Sequence, residues 1–151
     1  MKRFFYFIFI AATLVAGCSK TTEEPEPEPF GGASYKGVVS VEFAGADYDN
    51  SDILVDVTPD EGAGTLTIDI HQIKFVPQMP VTVDVTVPGV SYSEKDGVLT
   101  FSGDGIVPLS GVVPVERYLV SGLNGTIKED ACTFSLDFGS YPTKFTGSKV
   151  R

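Results

Sequence analysis

Apolar and polar residues alternate in short runs along the chain from Tyr35 onward. In one run Leu66, Ile68 and Ile70 alternate with polar neighbours, and valines do the same over residues 81–87. A period of two places the apolar side chains on a single face of a β-strand. The pattern predicts strands at residues 35–44, 52–58, 65–73, 81–88, 90–94, 98–103, 118–127, 131–138 and 142–149.

Turn signals separate these runs. Residues 59–62, 94–97 and 128–130 carry Gly or Asp where a tight turn needs unusual backbone angles. Many short strands, each with one apolar face, close most naturally into an all-β fold, an eight-stranded antiparallel meander β-barrel. A two-sheet β-sandwich is the alternative.

The apolar positions of the predicted strands define an expected core on the inner face. Its members are Val39, Val41, Phe43, Ile53, Val55, Val57, Leu66, Ile68, Ile70, Val81, Val83, Val85, Leu99, Phe101, Leu119, Leu123, Ile127, Phe134, Leu136, Phe138 and Phe145. Cys132 shares the alternation of Phe134 and Leu136, so we expect a buried, inert thiol there.

The N-terminal segment has the layout of an export signal. Two basic residues lie within residues 1–3, before an apolar run at 4–15 that is shorter than the about 20 residues that span a bilayer. Residues 14–18, LVAGC, resemble the bacterial lipobox. The resemblance implies removal of a signal peptide at residues 1–17 and lipid attachment at Cys18. An ordinary signal peptide with a chance cysteine is the alternative.

A Glu/Pro repeat follows the expected lipidation site. Residues 19–34 have no apolar period, and the repeat disfavours both helix and strand. We therefore predict a lipidated Cys and a disordered tether over residues 18–34, with the β-barrel domain at 35–151. The expected location is the outer membrane, lipid-anchored on its periplasmic or cell-surface side.

The charge balance and the scarcity of catalytic residue types narrow the function. Lys and Arg number 11 against 20 Asp and Glu, a net charge of −9, which argues against nucleic-acid binding. The chain has a single His and lacks the zinc-protease, phosphate-loop, nucleophile-elbow and dinucleotide motifs. We expect neither an enzyme nor a cofactor, and no catalytic residue is predicted.

Two polar clusters have partial metal-site character. Residues 47–52 concentrate carboxylates, but the segment fails the calcium-loop pattern at its sixth and twelfth positions, so we interpret it as a solvated hairpin turn. His71 shares a strand face with Asp69, and Asp84 is expected across from it. One imidazole without a second nitrogen or thiolate makes a poor transition-metal site. We predict a surface pair and no metal.

Several strand and loop motifs together resemble a known family. They are residues 35–37 (YKG), 65–70 (TLTIDI), 77–80 (PQMP), 99–103 (LTFSG), 123–127 (LNGTI) and the closing Phe-rich strands. Over about residues 35–149 the chain resembles the calycin-like β-barrel lipoproteins of Gram-negative gut bacteria, which implies a lipocalin-like barrel. True lipocalins carry a Gly-x-Trp near the first strand. This chain has no Trp, so a retinol-type pocket does not carry over.

Two connections are unusually apolar for loops, at residues 74–80 and 105–115. We expect them at a barrel mouth, either lining a ligand entrance or folded back as plugs over the core. The candidate ligand-binding residues are Val76, Met79, Ile106, Val107 and Leu109. The sequence thus predicts a lipid-anchored envelope protein that binds a small hydrophobic ligand or an envelope protein partner. A non-catalytic structural or accessory subunit of a surface assembly, with a filled barrel, is the alternative.

Overall fold

The computed structural model describes residues 29–60 and 62–150. The predicted signal peptide, Cys18 and the greater part of the predicted tether lie outside the described residues. Strand β1 begins at Ala33, two residues before the predicted start of the domain. Within the described part of the chain, no helix is both long and apolar enough to cross a membrane.

Antiparallel β-strands make up nearly all of the described chain. Their bounds are β1 Ala33–Phe43, β2 Ala46–Asp60, β3 Thr65–Ile73, β4 Val83–Lys95, β5 Val98–Gly103, β6 Leu109–Ser110, β7 Val113–Pro114, β8 Val120–Lys128, β9 Ala131–Phe138 and β10 Tyr141–Lys149. A short 3-10 helix, Glu116–Tyr118, precedes β8.

Eight of these strands form one closed barrel. The order of neighbours is β3-β2-β1-β10-β9-β8-β5-β4, and pairing of β3 with β4 completes the circle. The small β6–β7 hairpin lies beside β4, with Leu109 opposite Thr86. This arrangement confirms the predicted eight-stranded antiparallel barrel, and the sandwich alternative is wrong.

Alternation of side chains gives the barrel its packed interior. Along β9 exposed and buried residues alternate without exception from Ala131 to Phe138. Gly125 on β8 is needed because a Cβ there would lie 2.4 Å from the Phe101 ring and 2.5 Å from Cβ of Phe134. The missing side chain makes room for two rings that meet edge to face, with centroids 6.0 Å apart.

Most of the predicted core is buried, and Cys132 is fully buried as expected. Four predicted core residues are not buried: Phe43 and Val83 are half-buried, while Val81 is 63% and Leu119 40% exposed. Val81 and Leu119 lie outside strands, because β4 and β8 each begin two residues later than predicted. The core also takes in residues that the predicted list left out, namely Tyr35, Ile73, Phe75, Val87, Val90, Val120 and Cys132.

The interpretation of residues 47–52 as a hairpin turn is wrong. The turn lies at Ala44 and Gly45, both with positive φ, and β2 begins at Ala46. Residues 47–50 pair with β1, and a bulge follows where Asp52 has φ of 58°. The segment's carboxylates and Ser51 are exposed, whereas Tyr48 is half-buried and Asn50 is buried.

The sequence predicted that Gly89 divides two strands, at 81–88 and 90–94, but one strand, Val83–Lys95, runs through both segments. Gly89 has φ of 67° and lies at a register shift against β3, so it is a bulge within the single strand β4. β4 pairs with β3 on both sides of this bulge, as far as Ser91, and residues 91–95 also pair with β5. One strand thereby spans the seam that closes the barrel.

The two ends of the barrel are built differently. At the hairpin end, the short turns at residues 62–64, 96–97 and 129–130 join neighbouring strands, and β1 starts where β10 finishes. At the loop end lie the two long connections, residues 74–82 and 104–119. Both apolar segments singled out in the sequence are therefore at the same end, as predicted.

Candidate functional site

A buried amide holds the first long connection against the barrel wall. The Asn50 side chain donates to the carbonyl of Lys74 at 3.1 Å and to that of Val39 at 3.3 Å. Its Oδ1 accepts the backbone N–H of Lys74 at 2.8 Å. These bonds satisfy backbone groups next to the core and fix where the loop turns inward.

Phe75 follows directly and fills the loop end of the barrel. It is only 2% exposed. Its ring stacks on Tyr118 with centroids 4.5 Å apart and meets Phe138 edge-on at 5.3 Å. Tyr141 completes the cluster, 5.7 Å from Phe75. The aromatic rings close most of this end and tie the connection at 74–82 to the 3-10 helix.

An apolar recess of about 280 Å³ remains beside this aromatic cluster. It lies between the start of β4, the β6–β7 hairpin and the 3-10 helix. Its lining residues are Phe75, Val83, Val85, Pro108, Leu109, Ser110, Val115, Arg117 and Tyr118. Small-molecule sites are typically concave, mostly apolar and about 300–1,000 Å³ in volume, so the recess has the character of such a site and a volume near the lower end of that range.

The β6–β7 hairpin forms one wall of the recess and is anchored at its base. Val115 donates its N–H to the carbonyl of Pro108 at 2.9 Å, which closes the hairpin. Ile106 and Val120 exchange backbone hydrogen bonds of 3.1 and 2.8 Å, which attach the connection to β8. Pairing with β4 at Thr86 holds the other side. The wall is thus tied to both flanking strands of the barrel.

One of the five predicted ligand-binding residues lines the recess, and the other four are half-buried outside its lining. Leu109 lines the recess. Val76, Met79 and Ile106 are half-buried and pack against the core, and Val107 is half-buried as well. Met79 folds back so that its sulfur accepts the N–H of Phe75 at 3.1 Å.

Sequence reasoning missed most of the lining residues. Val83 and Val85 were assigned to the core, and both also face the recess. Phe75 lay inside the segment singled out for its apolar character, which was a usable signal. Arg117 and Tyr118 gave none, because only the fold brings the 3-10 helix beside the loop at 74–82.

The His71 cluster lies on the outer wall of the barrel. Its Nε2 is 2.9 Å from Oδ2 of Asp56, and its Nδ1 is 3.9 Å from Oδ2 of Asp84. The expected partner Asp69 instead accepts the hydroxyl of Thr86. His71 therefore pairs across strands with a carboxylate of β2 rather than with its neighbour on β3. No three His, Cys, Asp or Glu side chains of the described residues are grouped so that they could hold a metal ion.

The electrostatics of Asp56 fit an ordinary surface pair. Desolvation raises the pKa of Asp56, but hydrogen bonds from Ser34 and His71 and the charge of the imidazole outweigh it, so the pKa is lowered. A depression of about 500 Å³ adjoins His71, but polar and charged residues line much of it and it lies on the outer face. The apolar recess is the better candidate site.

The single cysteine of the described residues is not poised for chemistry. Burial raises the pKa of the Cys132 thiol to about 12. Burial, with the nearby Cys132 and Asp130, raises the pKa of Tyr35 to about 12 as well. Both groups stay protonated at neutral pH, and a protonated, fully buried thiol is a poor nucleophile.

The sequence matches the family described as a calycin-like beta-barrel domain over residues 32–149. This match covers most of the chain, so the chain belongs to the calycin-like β-barrel family. It begins one residue before β1 and ends with the last residue of β10. A search of curated proteins and a search of solved structures each found no match. The family match and the closed barrel establish the fold, and the recess is the feature that bears on function.

Proposed function

We propose that this member of the calycin-like β-barrel family is a lipid-anchored envelope protein that binds a small hydrophobic ligand at the loop end. The observation that carries the binding proposal is the apolar recess of about 280 Å³, in a barrel whose interior is otherwise occupied by buried side chains. Rigid strands and a hydrogen-bonded hairpin wall the recess, so binding requires little ordering of the protein.

The lipid-anchor part of the proposal is supported by the lipobox-like LVAGC at residues 14–18. The chain enters the barrel at the hairpin end, where the N–H of Phe30 donates to Oε1 of Glu94 at 3.0 Å. An anchor at Cys18 would therefore attach the barrel by the end opposite the recess. The recess would then open away from the membrane, where a ligand from the surroundings can reach it.

Fractionation of cells tests the anchor. We expect Cys18→Ala to leave the membrane fraction, or to accumulate as an unprocessed precursor, because acylation of the thiol is what holds the chain. Ser19→Ala, at the neighbouring position, is the matched control and should be retained. Normal processing and membrane retention of the Cys18 variant would refute the anchor.

A filled-barrel accessory subunit is the second candidate function. The inward-folded Met79 and the stacked Phe75 favour it, because both close the loop end. The tip of the β6–β7 hairpin adds an exposed apolar pair, Val112 at 91% and Val113 at 60% exposure. Such a pair is suited to contact with a protein partner.

Titration of the full chain with the fluorescent probe N-phenylnaphthylamine separates the two candidates. We expect saturable binding that Leu109→Trp weakens at least about tenfold, or about 1.4 kcal/mol, because the larger ring fills the recess. Val113→Trp adds the same ring on the exposed tip and is the control. Val83→Phe, which narrows the recess from β4, serves if the first variant does not fold. Absence of saturable binding by the parent protein would leave the accessory-subunit function.

A further inference from the structure

The charge at the rim of the recess is the opposite of the charge of the protein. The chain carries a net charge of −9, yet the charged residue among those that line the recess is an arginine. Arg117 is also the one arginine among residues 29–60 and 62–150. The guanidinium offers a positive charge and several N–H donors beside an apolar surface, which an anionic group of a ligand can use.

The guanidinium of Arg117 is not engaged in an ion pair with any described side chain. Ion pairs in this part of the chain join Lys36 to Asp52 and His71 to Asp56 and Asp84. Arg117 instead lies over the ring of Tyr118, with its Cζ 5.2 Å from the ring centroid. This contact leaves its N–H donors available to an incoming acceptor.

The backbone beneath Arg117 is fixed. Tyr118 and Leu119 donate to the carbonyls of Val115 and Glu116, each at 3.1 Å, and these bonds shape the 3-10 helix. Gly139 donates its N–H to the carbonyl of Leu119 at 2.9 Å. A Cβ on Gly139 would lie 2.4 Å from the carbonyl oxygen of Arg117, so the chain packs closely here. The arginine therefore extends from a rigid support, as a specific contact requires.

The rest of the recess lining is mostly apolar and favours an apolar body in the ligand. Valine, leucine, proline and aromatic side chains surround the space, and apart from Arg117 the polar side-chain groups among the lining residues are the hydroxyls of Ser110 and Tyr118. An apolar cavity of about 150 Å³ holds one benzene, so a recess of about 280 Å³ holds an apolar body roughly twice that size. The site therefore fits a ligand that combines a short apolar body with one anionic group.

We infer that the ligand is a small amphiphile with a single carboxylate. Its apolar body lies against Phe75, Val85 and Leu109, and its carboxylate pairs with Arg117 at the rim. A planar guanidinium matches a carboxylate through two parallel N–H···O bonds, which gives orientation as well as affinity. This inference rests on the proposed function and adds the chemical class of the ligand.

Competition with bound N-phenylnaphthylamine tests the inference on the full chain. The competitors are octanoate, octanol and octylammonium, which share one apolar body and differ in charge. We expect octanoate to bind about tenfold more tightly than octanol, and octylammonium to bind weakest. Added salt should reduce the preference for octanoate, because the pair lies at an exposed rim.

Two matched variants locate the charge that matters. Arg117→Gln should weaken octanoate about tenfold and leave octanol unchanged, whereas Arg117→Lys should keep part of the preference. Lys128→Gln removes the same charge at the hairpin end and should change neither ligand. Equal binding of octanoate and octanol by the parent would overturn the inference while the binding site stands. Failure of all three competitors to displace a probe that binds saturably would also overturn the inference, whereas absence of saturable probe binding would remove the proposed site as well.

Discussion

The hairpin end and the loop end of the barrel belong to the same strands but differ in the connections between them. At the hairpin end, two-residue turns such as Asp96–Gly97 join neighbouring strands, and both residues have positive φ. At the loop end, two long connections carry an aromatic plug, a small hairpin and the recess. Short turns leave few groups to order, while long connections provide side chains for a site. The comparison indicates that the hairpin end needs only short turns, whereas the loop end both closes the core and forms the recess.

The largest expected effect is at the loop end, where Phe75 closes the barrel. Phe75→Ala should lower the free energy of unfolding by about 3–5 kcal/mol, because it removes a fully buried ring and leaves a cavity. Urea denaturation of the full chain measures the loss. Val81→Ala, at an exposed position of the same end, should change stability by less than about 0.5 kcal/mol. A small loss for Phe75→Ala would mean that this end contributes little to folding.

The hairpin end should respond to alkaline pH. The folded protein holds the pKa of Cys132 at about 12, well above that of a thiol in an unfolded chain. The protonated thiol therefore contributes stability that is fully present below about pH 8.5 and is lost as pH rises toward 12.

Between pH 7 and 9.5 this loss amounts to roughly 1 kcal/mol from Cys132. Cys132→Val keeps an apolar side chain of similar size and lacks the titration. Urea denaturation at both pH values should show a smaller loss in the variant than in the parent. Equal losses in the variant and the parent would show that the fold does not raise the pKa of the thiol. Phe75→Ala is the control, and its free energy of unfolding should show the full pH-dependent loss.

The smallest effect is expected on the outer wall, between the two ends. Asp56→Asn should cost less than about 1 kcal/mol at pH 7, because the pair with His71 is partly exposed. The folded pKa of Asp56 is lowered, so its contribution is present above the unfolded value of about 3.9 and is lost as pH falls. The difference between the parent and the variant should therefore shrink in thermal melts as the pH falls below about 4. A persistent difference there would assign the effect to packing.

The sequence predicted the strands because their alternation is a local property. Predicted strands 65–73, 98–103 and 131–138 coincide with β3, β5 and β9. Errors arose where a residue's environment depends on a distant segment. Asn50 lies in a polar run that is typical of a turn, yet it is buried because Lys74 offers it backbone partners. The alternation begins at Val81, two residues before β4 itself, so the strand predicted from alternation starts too early.

The candidate site was less accessible to sequence reasoning than the fold. Apolar character marked both long connections, and Leu109, one of the five predicted ligand-binding residues, lines the recess. It could not separate Met79, which folds back against the loop, from residues that face the recess. Arg117 follows a run of apolar residues without any motif of its own. Its position beside Phe75 arises from the 3-10 helix and the closure of the barrel, which no local pattern encodes.

The pairing of β1 with β10 has a consequence for synthesis of the protein. Tyr35 lies opposite Lys149, so one edge of the first strand stays unpaired until the last strand has emerged, although β2 pairs with its other edge. A chain that stops before Tyr141 leaves β1 and β9 with unpaired backbone groups on two open edges. Such edges invite pairing with other chains. Premature termination is therefore expected to yield aggregating fragments rather than a smaller working barrel. The whole polypeptide must be synthesised before its strand edges are protected from aggregation.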